Sequence, residues 1–204
     1  MPNLQSLPKM CEALAGPPKK TFAVMLMLIA TVSVCTSSKK KEEGVVALRN
    51  SYAPVQDMGI VVSGGINLFQ YSQRLTDALL KFKNSEDSCK QAAAKFEDKS
   101  QQALAAEVCR HLDMAMGAYV LAKEYFGSKY DDPIYPDMEI YWLGQGDYAK
   151  VKERFSSLEE LPVIDTNESG YKFYARSAML QALWRLADRE CQTAKAQIDQ
   201  LDQM

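Results

Sequence analysis

Apolar residues recur every three or four positions between Gln101 and Phe126, and this spacing constrains the fold more than any other feature of the chain. The members of the stripe are Leu104, Val108, Leu112, Ala115, Tyr119, Ala122 and Phe126. Residues with this spacing share one face of an α-helix, and that face needs a second apolar surface to cover it. Gly127 follows at a position where glycine commonly ends a helix. The chain is therefore expected to contain a long amphipathic helix that packs within a larger helical assembly.

Weaker apolar periodicities predict further helices on both sides of this one. Residues 66–82 and 86–97 are expected to form two helices, separated by a stop at Asn84 and Ser85. Two helical pairs are expected later in the chain, at residues 138–143 with 148–161 and at residues 171–186 with 191–201. The sequences GQGD and ADRE are predicted to form the turns within these pairs.

No convincing alternation of apolar and polar residues indicates strands. Residues 45–65 are ambiguous, because GIVVSGG fits either a short strand or a glycine-punctuated lead into a helix. The composition, with 47% hydrophobic and 25% charged residues, is that of a globular protein. We therefore predict an all-α fold class, built from antiparallel helical pairs.

The N-terminal region has the pattern of an export segment. Lys19 and Lys20 precede an apolar run at residues 22–30, which fades through small residues to Cys35. The run is shorter than the roughly 20 apolar residues that a full membrane span requires, and a basic flank with a short apolar centre is typical of a secretory signal. A short anchor that stays in the membrane and a buried core helix are the alternatives. The predicted organisation is a signal or anchor segment at 1–35, a charged tether at 36–44 and a helical domain at 45–204.

Cys35 adds a second element to this region. The sequence VSVC followed by TSSKKKEEG resembles the lipobox of bacterial lipoproteins, which implies that Cys35 becomes the lipidated first residue and that a polar tether follows it. Val34 departs from the pattern, which normally has Gly, Ala or Ser at this position, so simple secretion with cleavage shortly after Cys35 stays open. Both alternatives predict export, to the bacterial periplasm or to the surface of the inner or outer membrane.

Two cysteines of the body are placed symmetrically about Lys99, which lies in the polar sequence EDKS. If the flanking segments form an antiparallel helical pair, Cys89 and Cys109 lie at the same level, within reach of the Cα separation of about 5.5–6 Å that a disulfide requires. An oxidising compartment would then favour a disulfide between them, whereas two buried thiols are the alternative. No CxxC sequence and no Cys/His pair at metal spacing occurs, so no metal site is expected.

The region after residue 136 carries a pattern of aromatic and small residues around a glycine. Its members are Trp142, Gly146, Tyr148, Val151, Phe155 and Leu158. This order resembles the tetratricopeptide repeat, in which an aromatic residue, a glycine-containing turn and a stripe on the second helix lock two antiparallel helices together. A weaker copy consists of Ala178, Ala182, Cys191, Ala194, Ile198 and Leu201. The resemblance covers about residues 136–162 and 171–203 and implies a stacked array with a concave groove; an unrelated helical bundle is the alternative.

Catalytic chemistry has little support in the sequence. His111 is the only histidine, and Asp113 is not at a spacing that shares its helix face, so a packed or surface histidine is the simpler interpretation. We predict no catalytic residue and no cofactor, and hence a protein that is not an enzyme. The 24 basic and 26 acidic residues leave a net charge of −2 without a basic stripe in the body, which argues against nucleic acid as a partner.

Aromatic residues between 125 and 142 are the best functional lead. The candidates for partner contact are Tyr130, Tyr135, Tyr141 and Trp142, because Tyr and Trp are enriched at binding hot spots. The alternative is that they close the junction between helical pairs.

The sequence thus predicts a non-catalytic envelope protein that binds another envelope protein or a peptide through a helical groove, and that contacts the membrane through its N-terminal anchor or lipid. One alternative is an accessory lipoprotein that binds a small apolar ligand, similar to the tetratricopeptide-type components of tripartite periplasmic transporters; a large enclosed apolar cavity would favour it. The other is an envelope enzyme, which a cluster of His111 with acidic side chains in one cleft would favour.

Overall fold

The computed structural model describes the backbone of residues 19–127 and 142–204 and the side chains of residues 38–126 and 143–204. Contacts divide the chain into a unit of residues 1–39 and a unit of residues 40–204. The fold and the site described below belong to the second unit.

Helices dominate the described residues. The five α-helices are α1 (Lys19–Ser63), α2 (Leu68–Ala92), α3 (Lys99–Gly127), α4 (Gln145–Arg154) and α5 (Arg176–Gln203), with a 3₁₀ turn at Ala93–Lys95. The three strands are β1 (Trp142–Gly144), β2 (Val163–Thr166) and β3 (Lys172–Ala175). The predicted all-α class is confirmed for the described part of the chain, with one small sheet that was not expected. Residues 45–63, in the ambiguous segment, are helical.

Helix α3 lies at the centre of the second unit, and its predicted stripe is buried except at its two ends, where Leu104 and Phe126 are half-buried. The positions along it that are at most 1% exposed are Ala105, Val108, Leu112, Ala115, Ala118, Tyr119 and Ala122. Helix α2 runs antiparallel to α3, because Cys89 bonds to Cys109 at one end and Tyr71 contacts Phe126 at the other. Helix α5 covers another side of α3 with a long apolar stripe of its own.

The part of α1 that belongs to the second unit, residues 40–63, runs antiparallel to both α2 and α5. The Ser51 hydroxyl donates to the Ser85 carbonyl of α2 at 3.1 Å, and Arg49 pairs with Asp202 of α5 at 2.7 Å. Helices α1, α2 and α5 therefore surround α3, and the C-terminal half of α3 lies near the turn between α1 and α2.

The sheet is antiparallel with the order β1-β3-β2. Leu143 of β1 and Val163 of β2 both lie opposite Tyr174 of β3. Tyr174 is buried, and its ring lies 4.3 Å from the ring of Tyr148 of α4, measured between centroids. The sheet and α4 thus form one small layer that precedes α5.

The first predicted helical pair is wrong where the structure describes it. Trp142 and Leu143, expected at the end of a helix, form strand β1, whereas residues 138–141 lie outside the described residues. Helix α4 ends at Arg154, so residues 155–161 are not helical although they keep buried apolar side chains. Two serines at 156 and 157 compete for backbone hydrogen bonds, and Pro162 disfavours the helical conformation of the residue before it.

The second predicted pair and the predicted stop in α2 are also wrong. Helix α5 continues without a break through the ADRE sequence, because Ala187 and Glu190 face the core while Asp188 and Arg189 face solvent. Residues 172–175 form strand β3 rather than the start of a helix. Helix α2 likewise continues through the expected stop to Ala92, and the Ser85 hydroxyl donates to the Phe82 carbonyl within the helix.

Candidate binding groove

An open groove of about 840 Å³ lies between α1 and α5. Its walls are residues 52–63 of α1 and residues 180–192 of α5, each about 20 Å long at the rise of an α-helix. Tyr119 and Phe126 of α3 form its floor. Two smaller crevices, of about 560 and 320 Å³, lie between α1 and α2. The three helices that surround the largest groove are therefore the same elements that build the core.

The walls of the groove meet at one end, which we call the closed end. The Tyr52 hydroxyl of α1 lies beside the Cys191 thiol of α5 there. Burial is the main cause that raises the pKa of Cys191 to about 11 and that of Tyr52 to about 12. Both groups are therefore neutral at pH 7.

Aromatic rings form the other, open end of the groove. Phe126 and Trp184 line it, and each packs against Tyr71 behind them, with ring centroids 5.5 Å and 5.8 Å from that of Tyr71. The Trp184 Nε1–H donates to the Tyr71 hydroxyl at 3.3 Å, and that hydroxyl donates to the Tyr119 carbonyl at 2.8 Å. These bonds hold the indole in place while one side of it faces the groove. Ile60, which is 62% exposed, forms the lip of α1 at this end.

Two charged side chains line the groove, and only the positive one is in an ion pair. Among the described lining residues these are Arg185 and Asp188. Arg185 binds the Glu159 carboxylate through two nitrogens, one of them Nε at 3.0 Å, and Asp188 accepts from the Gln192 amide at 2.8 Å. Among its described lining residues, the groove therefore offers apolar rings, neutral amides and one carboxylate, without a free positive charge.

His111 lies outside the groove and bridges three segments of the fold. Its Nδ1 is 2.5 Å from a carboxylate oxygen of Glu190, and the two side chains are only 13% and 8% exposed. The Ser157 hydroxyl donates to the other oxygen of Glu190 at 3.4 Å. The Nε2 of His111 is 3.3 Å from the Arg110 guanidinium and 3.9 Å from the Glu107 carboxylate. Chemically, a carboxylate-oriented imidazole is able to move a proton, but this one lines none of the three grooves.

Cys89 and Cys109, the disulfide candidates, are joined, with their Cα atoms 6.0 Å apart. Cys109 lies about 15 Å along α3 from the groove, since 10 residues separate it from Tyr119, the nearer residue of the floor, and each adds about 1.5 Å. The side chains of Cys35 and Trp142 and all of Tyr130, Tyr135 and Tyr141 lie outside the described residues, so these candidates stay predictions. Only their point of attachment is described: the segment that carries the tyrosines follows Phe126 on the groove floor and ends at β1.

Sequence reasoning missed the groove residues themselves. Tyr52 lies in the segment left ambiguous, and Cys191 and Tyr119 look like ordinary members of apolar stripes. Glu190 was missed because it was assigned to a turn. The available hint was Trp184, a large aromatic residue within the α5 pattern.

Within residues 38–126 and 143–204, there is no group of three or more His, Cys, Asp or Glu side chains that could hold a metal ion. The same part of the chain contains no helix with the length and apolar character of a membrane span. Comparison with protein-family models, with curated proteins and with solved structures gave no match to this chain.

Proposed function

We propose that this chain is a non-catalytic binding protein that holds a peptide segment of a partner protein in the groove between α1 and α5. The observation that carries the proposal is the open groove of about 840 Å³ with an aromatic floor. Its volume falls in the range of roughly 300–1,000 Å³ that is usual for ligand-binding clefts. Because Trp and Tyr contribute a large share of binding energy at interfaces, the half-buried Trp184 is the residue on which binding depends most.

The shape and lining of the groove favour a peptide over a small apolar ligand. An apolar small molecule is best held in an enclosed cavity, whereas this groove is open along walls of about 20 Å. Gln56, Gln181 and Gln192 line the walls, and a side-chain amide can both donate to and accept from a peptide backbone. An extended or helical segment of a partner offers apolar side chains and backbone amides together.

The setting that we propose for this binding is the bacterial envelope. The N-terminal segment at 1–35 would direct export, and lipidation at Cys35 or a retained anchor would hold the groove at a membrane surface, where it meets another envelope protein at high effective concentration. The Cys89–Cys109 disulfide supports an exported location, because disulfides persist in oxidising compartments and are rare in the cytosol.

The enzymatic alternative is favoured by a cluster of His111 with acidic side chains, but this cluster does not lie in a described groove. His111 does lie beside the acidic side chains of Glu190 and Glu107. That cluster, however, lines none of the three grooves described above, so the geometry favours a bridge between helices over a reaction centre. We therefore retain binding as the proposed function.

Site-specific photo-crosslinking tests the proposal. A photoreactive amino acid replaces Gln181, an exposed residue of the groove wall, in the full-length chain expressed in its native host. We expect a crosslinked product whose mass and fragments correspond to a peptide segment of one protein. The variant Ile60→Arg should abolish it by placing a charge at the lip of the groove.

Leu80→Arg is the matched control, because Leu80 is 58% exposed on α2 and lines none of the grooves. This variant should leave the crosslink unchanged. Equal crosslinking in the two arginine variants would contradict binding in the groove. A crosslinked small molecule would instead support the apolar-ligand alternative.

A further inference from the structure

We propose that the hydroxyl of Tyr119 is a hydrogen-bond anchor for a peptide carbonyl of the segment bound in the groove. This inference rests on the proposed function and specifies how the partner is held. It assigns an uncharged, amide-containing group to the region of the groove beneath Gly59 and apolar side chains to the open end.

The hydroxyl of Tyr119 donates to no other described residue, although the residue as a whole is only 1% exposed. The residue lines the groove, and the hydroxyl lies against Gly59, where an added Cβ would be 3.2 Å from it. The hydroxyl therefore keeps an unused donor at the floor of the groove, which an acceptor atom of a bound segment can take up. The glycine leaves the space in which a partner atom can approach the hydroxyl.

The electrostatic surroundings select an uncharged acceptor. Asp188 lines the same groove and accepts a hydrogen bond from the neutral Gln192 amide, so an anionic group in the groove would meet its negative charge. Arg185, the one cation among the described lining residues, is bound to the Glu159 carboxylate. A carboxylate or phosphate would find no free positive charge here. A backbone carbonyl accepts the hydrogen bond without adding charge.

The other lining residues of the groove determine which groups of the bound peptide fit beside this carbonyl. Gln56 lies one helical turn from Tyr52 on the wall of α1 and can bond the peptide group beside the anchored one. Towards the open end the lining changes to Trp184, Phe126 and Ile60, which favour apolar side chains. The bound segment is therefore a neutral peptide with at least one large apolar residue next to the anchored carbonyl.

Two short peptides test this inference. The first probe is N-acetyl-Leu-Ala-Leu with a C-terminal amide, and the second is the same peptide with a free carboxylate. Binding to the full-length chain is followed by the emission of Trp184 after Trp142→Phe removes the other of the two tryptophans. We expect the amide to bind more tightly than the carboxylate.

Tyr119→Phe removes only the hydroxyl and keeps the ring that forms the floor. We expect it to weaken binding of the amide about three- to tenfold, which is the usual effect of losing one neutral hydrogen bond. Tyr174→Phe is the matched control, because Tyr174 is also buried but lies in β3 outside the groove. It should bind as the parent chain does, and circular dichroism should show the parent fold for both variants.

The outcomes separate this inference from the proposed function. Unchanged binding by Tyr119→Phe, with loss of binding in Ile60→Arg, would overturn the anchor and leave the groove as the binding site. Equal binding by Ile60→Arg and the parent chain, or no response of Trp184 to either probe, would overturn the anchor and the groove together.

Discussion

Both ends of the helical unit contain large aromatic residues, but these are enclosed at one end and face an open groove at the other. The disulfide end is formed by the first residues of the second unit in α1, by the end of α2 and by the start of α3. Phe96 is buried and closely packed there. An added Cβ at Gly44 would lie 3.0 Å from its ring. Lys95 pairs with Glu43 across this end at 3.1 Å. At the groove end, Phe126 and Trp184 are only half-buried, and they pack against each other at 5.6 Å while facing an open groove.

The contrast shows which end of the fold contributes more to stability and which end leaves surface available to a partner. Aromatic rings that are fully enclosed stabilise the native state through apolar burial and close packing. Rings that are supported on one side and open on the other contribute less stability and leave area that a partner can cover. The predictions that follow change one end at a time.

The largest effect is expected from truncating the enclosed ring. Phe96→Ala should lower the free energy of unfolding by about 4 kcal/mol, because it leaves a cavity in a region with little freedom to collapse. Phe126→Ala should cost about half as much, because its ring is already partly in solvent. Urea unfolding of the two variants measures the difference. Equal losses would mean that the ends do not differ in packing.

The disulfide should contribute the next largest effect. Replacing both cysteines, as Cys89→Ser with Cys109→Ser, should lower the free energy of unfolding by about 3 kcal/mol, since the bond closes a loop of 20 residues. Urea unfolding without reductant gives the value for each chain. The groove should keep its affinity for the peptide amide under native conditions. A loss of affinity comparable to the loss of stability would show that the two ends are coupled.

A smaller effect is expected at the bridge between the two ends. Glu190→Gln and His111→Ala should each lower the free energy of unfolding by about 2 kcal/mol, because each leaves its buried partner without a charge-assisted hydrogen bond. The double variant should cost little more than either single one. Glu107→Gln is the control on α3, and because Glu107 is exposed it should change stability by less than about 0.5 kcal/mol. Additive losses would indicate two independent residues.

The central helix and the disulfide candidates could be predicted from the sequence, because the residue patterns that indicate them are long and lie close together along the chain. The stripe of α3 has seven members over about six turns, so its helix and its buried face could be predicted from 3.6-residue spacing alone. The disulfide between Cys89 and Cys109 could be proposed because the two residues are placed symmetrically about the turn between that helix and its antiparallel neighbour.

The groove and the bridge depend on residues that are distant in sequence, and this is why they could not be predicted. Tyr52, Tyr119 and Cys191 belong to three helices, and each is an ordinary apolar position within its own helix. Glu190 was assigned to a turn because a charged residue in a polar tetrapeptide usually faces solvent. Its partner, His111, is 79 residues away, and only that pairing explains a carboxylate on the buried face of α5.

The smallest effect we predict is specific to the groove end and depends on pH. Burial raises the pKa of Cys191 from 9.0 to about 11, so above pH 9 the thiol loses its proton in the unfolded chain before it does so in the native one. The resulting stability is complete below pH 9 and is lost as the pH rises towards 11. Between pH 8 and pH 10 the free energy of unfolding should fall by about 1 kcal/mol, after allowance for partial contact with solvent. Cys191→Ala should flatten this decrease, whereas the disulfide-bonded cysteines do not titrate. An equal decrease in both chains would show that the thiol is not buried at the closed end of the groove.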